Sequence, residues 1–298
     1  MVRGIAGARV VWARLLAVLF VLMVVDVLSA VLDVVPGDGV LPGGFATVAA
    51  VIVAIVALSF LMNVAPTAAP RPPVELAPPV RGAWTAVNSP GQRVPSHGTR
   101  TRGQLCAVDL CGRSTPDTPP LVRFGLRGTR PERYPGFDAP VLAMAAGVVV
   151  AATDRQRDHR ARDTWQGLLF MLTLEGVLRE VVGTRGVLGN HVLVQHDDGT
   201  VAAYAHLRQG SATVRVGERV AIGTELGRVG NTGNTSMPHL HVHLMDRAHV
   251  DAAAGLPLAW PAVTCTGEID APFASYAKEP HASALPGMPR NGEVFTAA

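Results

Sequence analysis

Cysteine, lysine and aromatic residues are all scarce in this chain of 298 residues. Its three cysteines, Cys106, Cys111 and Cys265, cannot all pair with one another, and their spacing forms neither a disulfide framework nor a CxxC zinc knuckle. Aromatics make up 5% of the residues and the arginines are scattered. The net charge of +3 therefore lacks the basic block with interleaved aromatics that nucleic-acid binding uses, and no nucleic-acid partner is expected. Lys278 is the sole lysine, so arginine carries nearly all the positive charge. Helical periodicity is also sparse: beyond residue 65 no sustained 3.6-residue period occurs, apart from a short piece around residues 161–174.

What the chain has in quantity is apolar sequence at its N-terminus. Residues 10–35 form an apolar run broken only by Arg14, Asp26 and Asp33, and residues 45–64 form a second run with no charge. Each is close to the roughly 20 residues that a spanning helix requires, so residues 1–65 read as a two-helix transmembrane hairpin contacting the lipid bilayer. A cleaved signal peptide is the other reading of the first run, though no small-residue cleavage site stands out after it. Asp26 and Asp33 are costly in lipid and would face a partner helix or the interface. Residues 66–80, rich in proline and alanine, read as a stiff extended tether.

From residue 81 to 276 the pattern is all-β, with short apolar runs separated by clusters of Gly, Pro, Asp and Asn. Asp198-Gly199, between two such runs, is a two-residue hairpin signal. The fold expected is an antiparallel β-sheet, sandwich-like, followed by a loosely ordered tail over residues 277–298. One stretch, Val214-x-Val216-Gly217-x-x-Val220-x-x-Gly223-x-x-Leu226-Gly227-x-Val229-Gly230, has the cadence of domains that carry biotin or lipoate on a hairpin lysine. The only lysine lies far from it, which removes that function.

His239, His241 and His243 alternate with Leu240, Val242 and Leu244. Side chains on a strand repeat their direction every second residue, so one face is apolar and the other carries three imidazoles. A half-exposed strand using histidine as its polar residue would read the same, so partners elsewhere decide. Candidates are His97 in a Gly/Ser loop and Asp109, a carboxylate among Leu105, Ala107, Val108 and Leu110 that is costly to desolvate unless something positive meets it. In the run Thr200 to Leu207, strict alternation puts His206 on the face of Tyr204.

Four segments, in order, resemble the lysostaphin/LytM-type zinc metalloendopeptidases (duplicated hybrid motif). They are Gly189-Asn190-x-Val192-x-Val194-x-His196, Tyr204-Ala205-His206-Leu207, the valine and glycine cadence running on into Asn231-Thr232-Gly233-Asn234, and Pro238-His239-Leu240-His241. The resemblance extends from about His97 to Trp260 and implies a β-sheet groove, one zinc per domain and hydrolysis of peptide cross-links in peptidoglycan. Carried onto this chain, the metal ligands would be His97, Asp109 and His241, with His206 and His239 as catalytic histidines flanking the water. Tyr204 and Asn190 would be substrate-orienting groups or plain strand and turn residues. His196, beside the Asp-Gly turn, reads as exposed, and His243 as supporting the site or merely polar.

The chain departs from the commonest family pattern, HxGxD, because His97 and Asp109 are far apart. It follows instead a longer-loop form, Ser96-His97-Gly98-Thr99 and then an apolar-Asp strand, with His243-Leu244-Met245-Asp246 after the HxH. Tyr134-Pro135-Gly136-Phe137-Asp138 imitates HxGxD with tyrosine for histidine. Ala139-Pro140-Val141-x-Ala143-x-x-x-Gly147 resembles the family's next strand and leaves Asp138 in the turn before it. On a continuous strand Cys111 faces the same way as Asp109, so it is either a thiolate near the metal or a small buried hydrophobe. A non-catalytic module that binds the cell wall or activates another hydrolase is the alternative function; all five site positions being filled favours the enzyme. A wall hydrolase should be extracytoplasmic and membrane-bound, yet Arg3, Arg9 and Arg14 around the first span assign both termini to the cytoplasm by the positive-inside rule.

Overall fold

The computed structural model describes residues 1–32 and 44–298; Asp33 and the connection between the two apolar runs lie outside them. Helices Val2–Gly7, Arg9–Val31 and Gly44–Asn63 form the N-terminal part. Among the described residues, the stretch Arg9–Ser29 is the one helix long and apolar enough to cross a membrane, and the apolar helix Thr47–Asn63 is shorter. A single membrane-length helix is thus what the described residues support; the expected pair goes beyond it.

The expected β architecture is present as a 10-stranded sheet, antiparallel throughout. Its main path runs Val263–Ile269, Glu293–Ala297, Gly82–Val87, Val108–Gly112, Leu240–Met245, Val201–Leu207, Asn190–His196, Gly147–Thr153 and Arg219–Val220. The histidine strand Leu240–Met245 lies mid-sheet, between Val108–Gly112 and Val201–Leu207. Its even positions, Leu240, Val242 and Leu244, join Leu110, Val192 and Tyr204 in the principal core, closed from beneath by Trp84, Trp260 and Phe295. The odd positions look to the other face, where Leu193, Ala203, Ala205 and Met245 form a smaller core against Leu188 and Val250.

Several segments differ from what their composition suggests. The tether docks on the domain: Val74–Glu75 pairs in parallel with Leu258–Ala259, and Leu76 and Val80 are buried in the principal core. The tail is not loose to its end, since Glu293–Ala297 inserts between Val263–Ile269 and Gly82–Val87 and buries Phe295. The short helical piece extends further, as Trp165–Phe170, a π-turn at Met171–Glu175, Gly176–Val182 and Thr184–Leu188. Thr164 caps its start by accepting a hydrogen bond from the Gly167 amide.

Candidate metal centre

Register brings the first two candidates together. Asp109 and His241 are directly opposed on neighbouring antiparallel strands, and on the other side of His241 stands Ala205, whose small side chain leaves the imidazole room. His241 Nδ1 lies 2.8 Å from Asp109 Oδ1. His97 arrives on the loop before the Thr101–Cys106 turn, its Nε2 3.1 Å from each Asp109 oxygen. Nδ1 of His97 faces Ser96 Oγ, which in turn donates to the Ala107 carbonyl and anchors the loop to the strand carrying Asp109. One nitrogen of His97, one oxygen of Asp109 and one nitrogen of His241 all lie within 4.8 Å of one another.

His206 reaches this site by breaking the alternation of its strand. Asn190 pairs with Leu207 and His191 with Ala205, so His206 is the unpaired extra residue of a β-bulge, at φ 63°. A bulge re-aims the side chain it carries. Tyr204, which strict alternation would put beside His206, remains in the core, where its hydroxyl accepts from the Met144 amide. Leaving the core face brings the His206 ring to 4.9 Å from that of His239 and 5.6 Å from that of His241, centroid to centroid.

Backbone carbonyls fix the tautomers of the two histidines that are not candidate ligands. A carbonyl can only accept, so His206 Nδ1 must donate to Thr232 O at 2.8 Å and His239 Nδ1 to Met237 O at 2.8 Å. Each ring therefore presents Nε2 to the site; that of His239 stands 3.5 Å from Asp109 Oδ1. His243 lies behind the cluster, its Nδ1 3.0 Å from His241 Nε2. An Nε2–H of His241 donating to His243 leaves Nδ1, the atom facing Asp109, as its lone-pair nitrogen.

Burial and charge act against each other in this cluster. Burial works to raise the Asp109 carboxyl, but His97, His239 and His241 outweigh it and hold it well below the usual carboxylate range. Burial lowers His241, and burial with the neighbouring imidazoles takes His206 and His243 well below the ordinary histidine value. The His239 ring, where burial opposes and Asp109 favours the charge, is raised. A buried carboxylate is costly without a positive partner, a place that a protonated imidazole or a bound cation fills. Two imidazole nitrogens and a carboxylate oxygen converging from one side form the three-ligand set of catalytic zinc sites, so these residues fit a zinc ion.

Two supporting residues escaped the sequence reading. Asn88, at φ 47°, donates from Nδ2 to Asp109 Oδ2 at 2.8 Å. Met171, from the helical insert, lines the metal groove together with Gln104, Asn234 and Ser236. Other histidines and acids fall away from the site. His196 is buried, not exposed, with Nδ1 3.0 Å from Thr200 Oγ1. Asn190 brackets the chain at Gln156, accepting from its amide and donating to its carbonyl. Asp138 accepts from Arg208 in its turn, away from the cluster. Cys111 is free and packs with Val87 and Phe273, and burial pushes its thiol far up, which favours the small-hydrophobe reading over a thiolate ligand.

Residues 172–252 match the model of peptidase family M23. Over that segment the chain is similar to the M23 peptidases. The match includes His206, His239 and His241, whereas His97 and Asp109 precede it. Cell division protein DipM of Caulobacter vibrioides is 37% identical over 115 residues, 36% of this chain and 19% of DipM. The peptidoglycan DD-endopeptidase ShyA of Vibrio cholerae is 38% identical over 73 residues, 24% of this chain and 16% of ShyA. This chain thus spans a fifth or less of the length of these relatives. The lysostaphin catalytic domain from Staphylococcus simulans shares 21% identity across 50% of this chain and 73% of that one, at a TM-score of 0.27.

Proposed function

We infer that the chain is a membrane-anchored zinc metalloendopeptidase that hydrolyses peptide bonds in peptidoglycan stem peptides or cross-bridges from the extracytoplasmic side. The observation that carries this reading is the His97–Asp109–His241 cluster with the Nε2 atoms of His206 and His239 turned toward it. His97 Nε2, Asp109 Oδ1 and His241 Nδ1 would hold the zinc. Bound there, the metal supplies Lewis acidity and brings the pKa of water down to about 7. The residues of the chain do the rest. His206 and His239, each locked by a carbonyl at Nδ1, divide between them proton transfer at Nε2 and stabilisation of the developing oxyanion; each such role contributes roughly 10²- to 10⁴-fold. Asn88 occupies the second oxygen of Asp109 and so leaves Oδ1 for the metal.

A substrate in peptidoglycan is supported by ShyA, named as a peptidoglycan endopeptidase. DipM, named for cell division and not for hydrolysis, favours the second reading, a module that binds the wall without cutting it. Purified full-length chain carrying His241→Ala should lose both its zinc and the release of cross-linked muropeptide products, whereas His206→Ala should keep the zinc and lose the products. Products released undiminished by the His241→Ala chain would refute the enzyme reading, and an intact wild-type zinc site without products would support the binding module.

A further inference from the structure

The helical insert is built the wrong way round for water. Its polar groups turn inward: Glu175 is buried and accepts from Arg162 at 2.8 Å and from Arg179 at 2.5 Å. Outward it presents large apolar side chains, Trp165 at 62% exposure and Leu172 at 74%, with Leu169, Leu174 and Leu178 each more than half exposed. An apolar patch of this size on a protein surface marks contact with another apolar phase. Beside it runs the loop 121–130, joined to the start of the insert by Asp163, which accepts from Arg123 Nε at 2.8 Å and from the Thr129 amide at 3.0 Å. The tip of that loop holds Phe124 and Leu126 out at 91% and 92% exposure.

Two further observations say what covers this face. The insert is continuous with the membrane-length helix: Glu180 accepts from Arg9 Nε at 3.2 Å, Arg14 Nε donates to the Val181 carbonyl at 3.3 Å, and a Cβ on Gly183 would come within 2.6 Å of Val10. These contacts fall at the first turns of the stretch Arg9–Ser29, where a span enters the lipid. At the exposed loop, Arg160 donates to the Gly128 carbonyl at 2.9 Å and lies near Arg127 and Arg130, with Glu132 as the one opposing charge acting on it, which leaves a net cationic cluster suited to anionic headgroups.

We propose that the insert Trp165–Val182 and the loop 121–130 embed in the interface of a lipid bilayer, with Arg127, Arg130 and Arg160 on anionic headgroups. Met171, on the inner side of the same insert, is part of the metal groove, so the groove works at the bilayer surface on peptides presented there. The inference rests on the membrane-anchored reading above and adds a second, independent point of lipid contact.

The test uses the full chain with Trp12→Phe, reconstituted into vesicles of phosphatidylcholine and phosphatidylglycerol with brominated acyl chains. Trp84 and Trp260 are buried in the core, which leaves Trp165 as the reporter. Bromine should quench its emission, a Trp165→Phe companion should lack that loss, and Leu169→Gln with Leu172→Gln should reduce it without changing the fold, since both side chains are exposed. Trp165 unquenched in a chain that resists carbonate extraction overturns the inference and leaves the anchor intact. Protection of Trp165 only when two chains share one nanodisc overturns it too, in favour of a second copy. Quenching in a chain that carbonate extracts supports the interfacial insert and overturns the anchor.

Discussion

Asp109 is the residue on which the site turns. A buried carboxylate receives His241 from the strand opposite, His97 from a loop and Asn88 from the end of a third segment, so each partner fixes a different side of it. His243 acts through His241, holding the nitrogen that does not face Asp109. Groups that orient a metal ligand in this way typically contribute 10- to 100-fold in metal affinity. His243→Ala should therefore weaken zinc binding by roughly that factor in chelator competition while the chain stays folded by circular dichroism; unchanged affinity would remove His243 from the site. The residues alone left these candidates open, and the resemblance to a family joined them into one set. Alternation gave three same-facing histidines, and the cost of a carboxylate among Leu105, Val108 and Leu110 marked Asp109. Asn88 was not legible, because an asparagine at the end of a strand is ordinary until the register of two strands brings it to a carboxylate.

At the scale of elements, departures from regular pattern decide where side chains go. The bulge at His206 moves one histidine from the core face to the metal face, and no periodicity argument can see it, since a bulge is by definition a break in the period. The C-terminal strand escaped because Glu293–Ala297 is short and follows a long stretch of Pro, Gly and Asn; only its partners Val263–Ile269 and Gly82–Val87 make it a strand. Phe295, fully buried against the principal core, should be costly to truncate. Phe295→Ala is expected to lose about 3–5 kcal/mol in urea unfolding, and a loss under 1 kcal/mol would mean that the tail is not integral to the sheet.

The joint between the loop 121–130 and the helical insert rests on Asp163. Burial works to raise its carboxyl, but hydrogen bonds from Thr129 and Arg123 outweigh it and hold it below the ordinary value. A carboxyl lowered in the folded state stabilises above its unfolded pKa and loses that contribution as pH falls through the folded one. Asp163→Asn should accordingly destabilise the chain by about 1–3 kcal/mol at neutral pH, with the difference from wild type shrinking as the solution is acidified. A difference that grows toward low pH would contradict the assignment.

Taken whole, the molecule ties its N-terminus to its β-sheet domain. Arg3 pairs with Asp246 at 2.6 Å, and Arg9 shares Glu180 with Arg102, so the start of the membrane-length helix and the metal groove lie on one side. In the folded chain the two arginines nearest the N-terminus, which argue for the cytoplasm by charge alone, are neutralised by the domain. If the shorter apolar helix also crosses, so that the chain returns to the side it started from, an extracytoplasmic domain requires an extracytoplasmic N-terminus, and protease added to intact spheroplasts should cleave the domain; full protection would place it in the cytoplasm.

The central claim, a zinc ion held by two imidazoles and one carboxylate, is tested most directly by zinc K-edge X-ray absorption on the full chain. The account predicts nitrogen and oxygen scatterers at about 2.0–2.2 Å, no sulfur shell at about 2.3 Å, and no protein-bound zinc signal left in His241→Ala. A sulfur shell, which would bring Cys111 or Cys106 into the site, or a spectrum unchanged by His241→Ala, would contradict it.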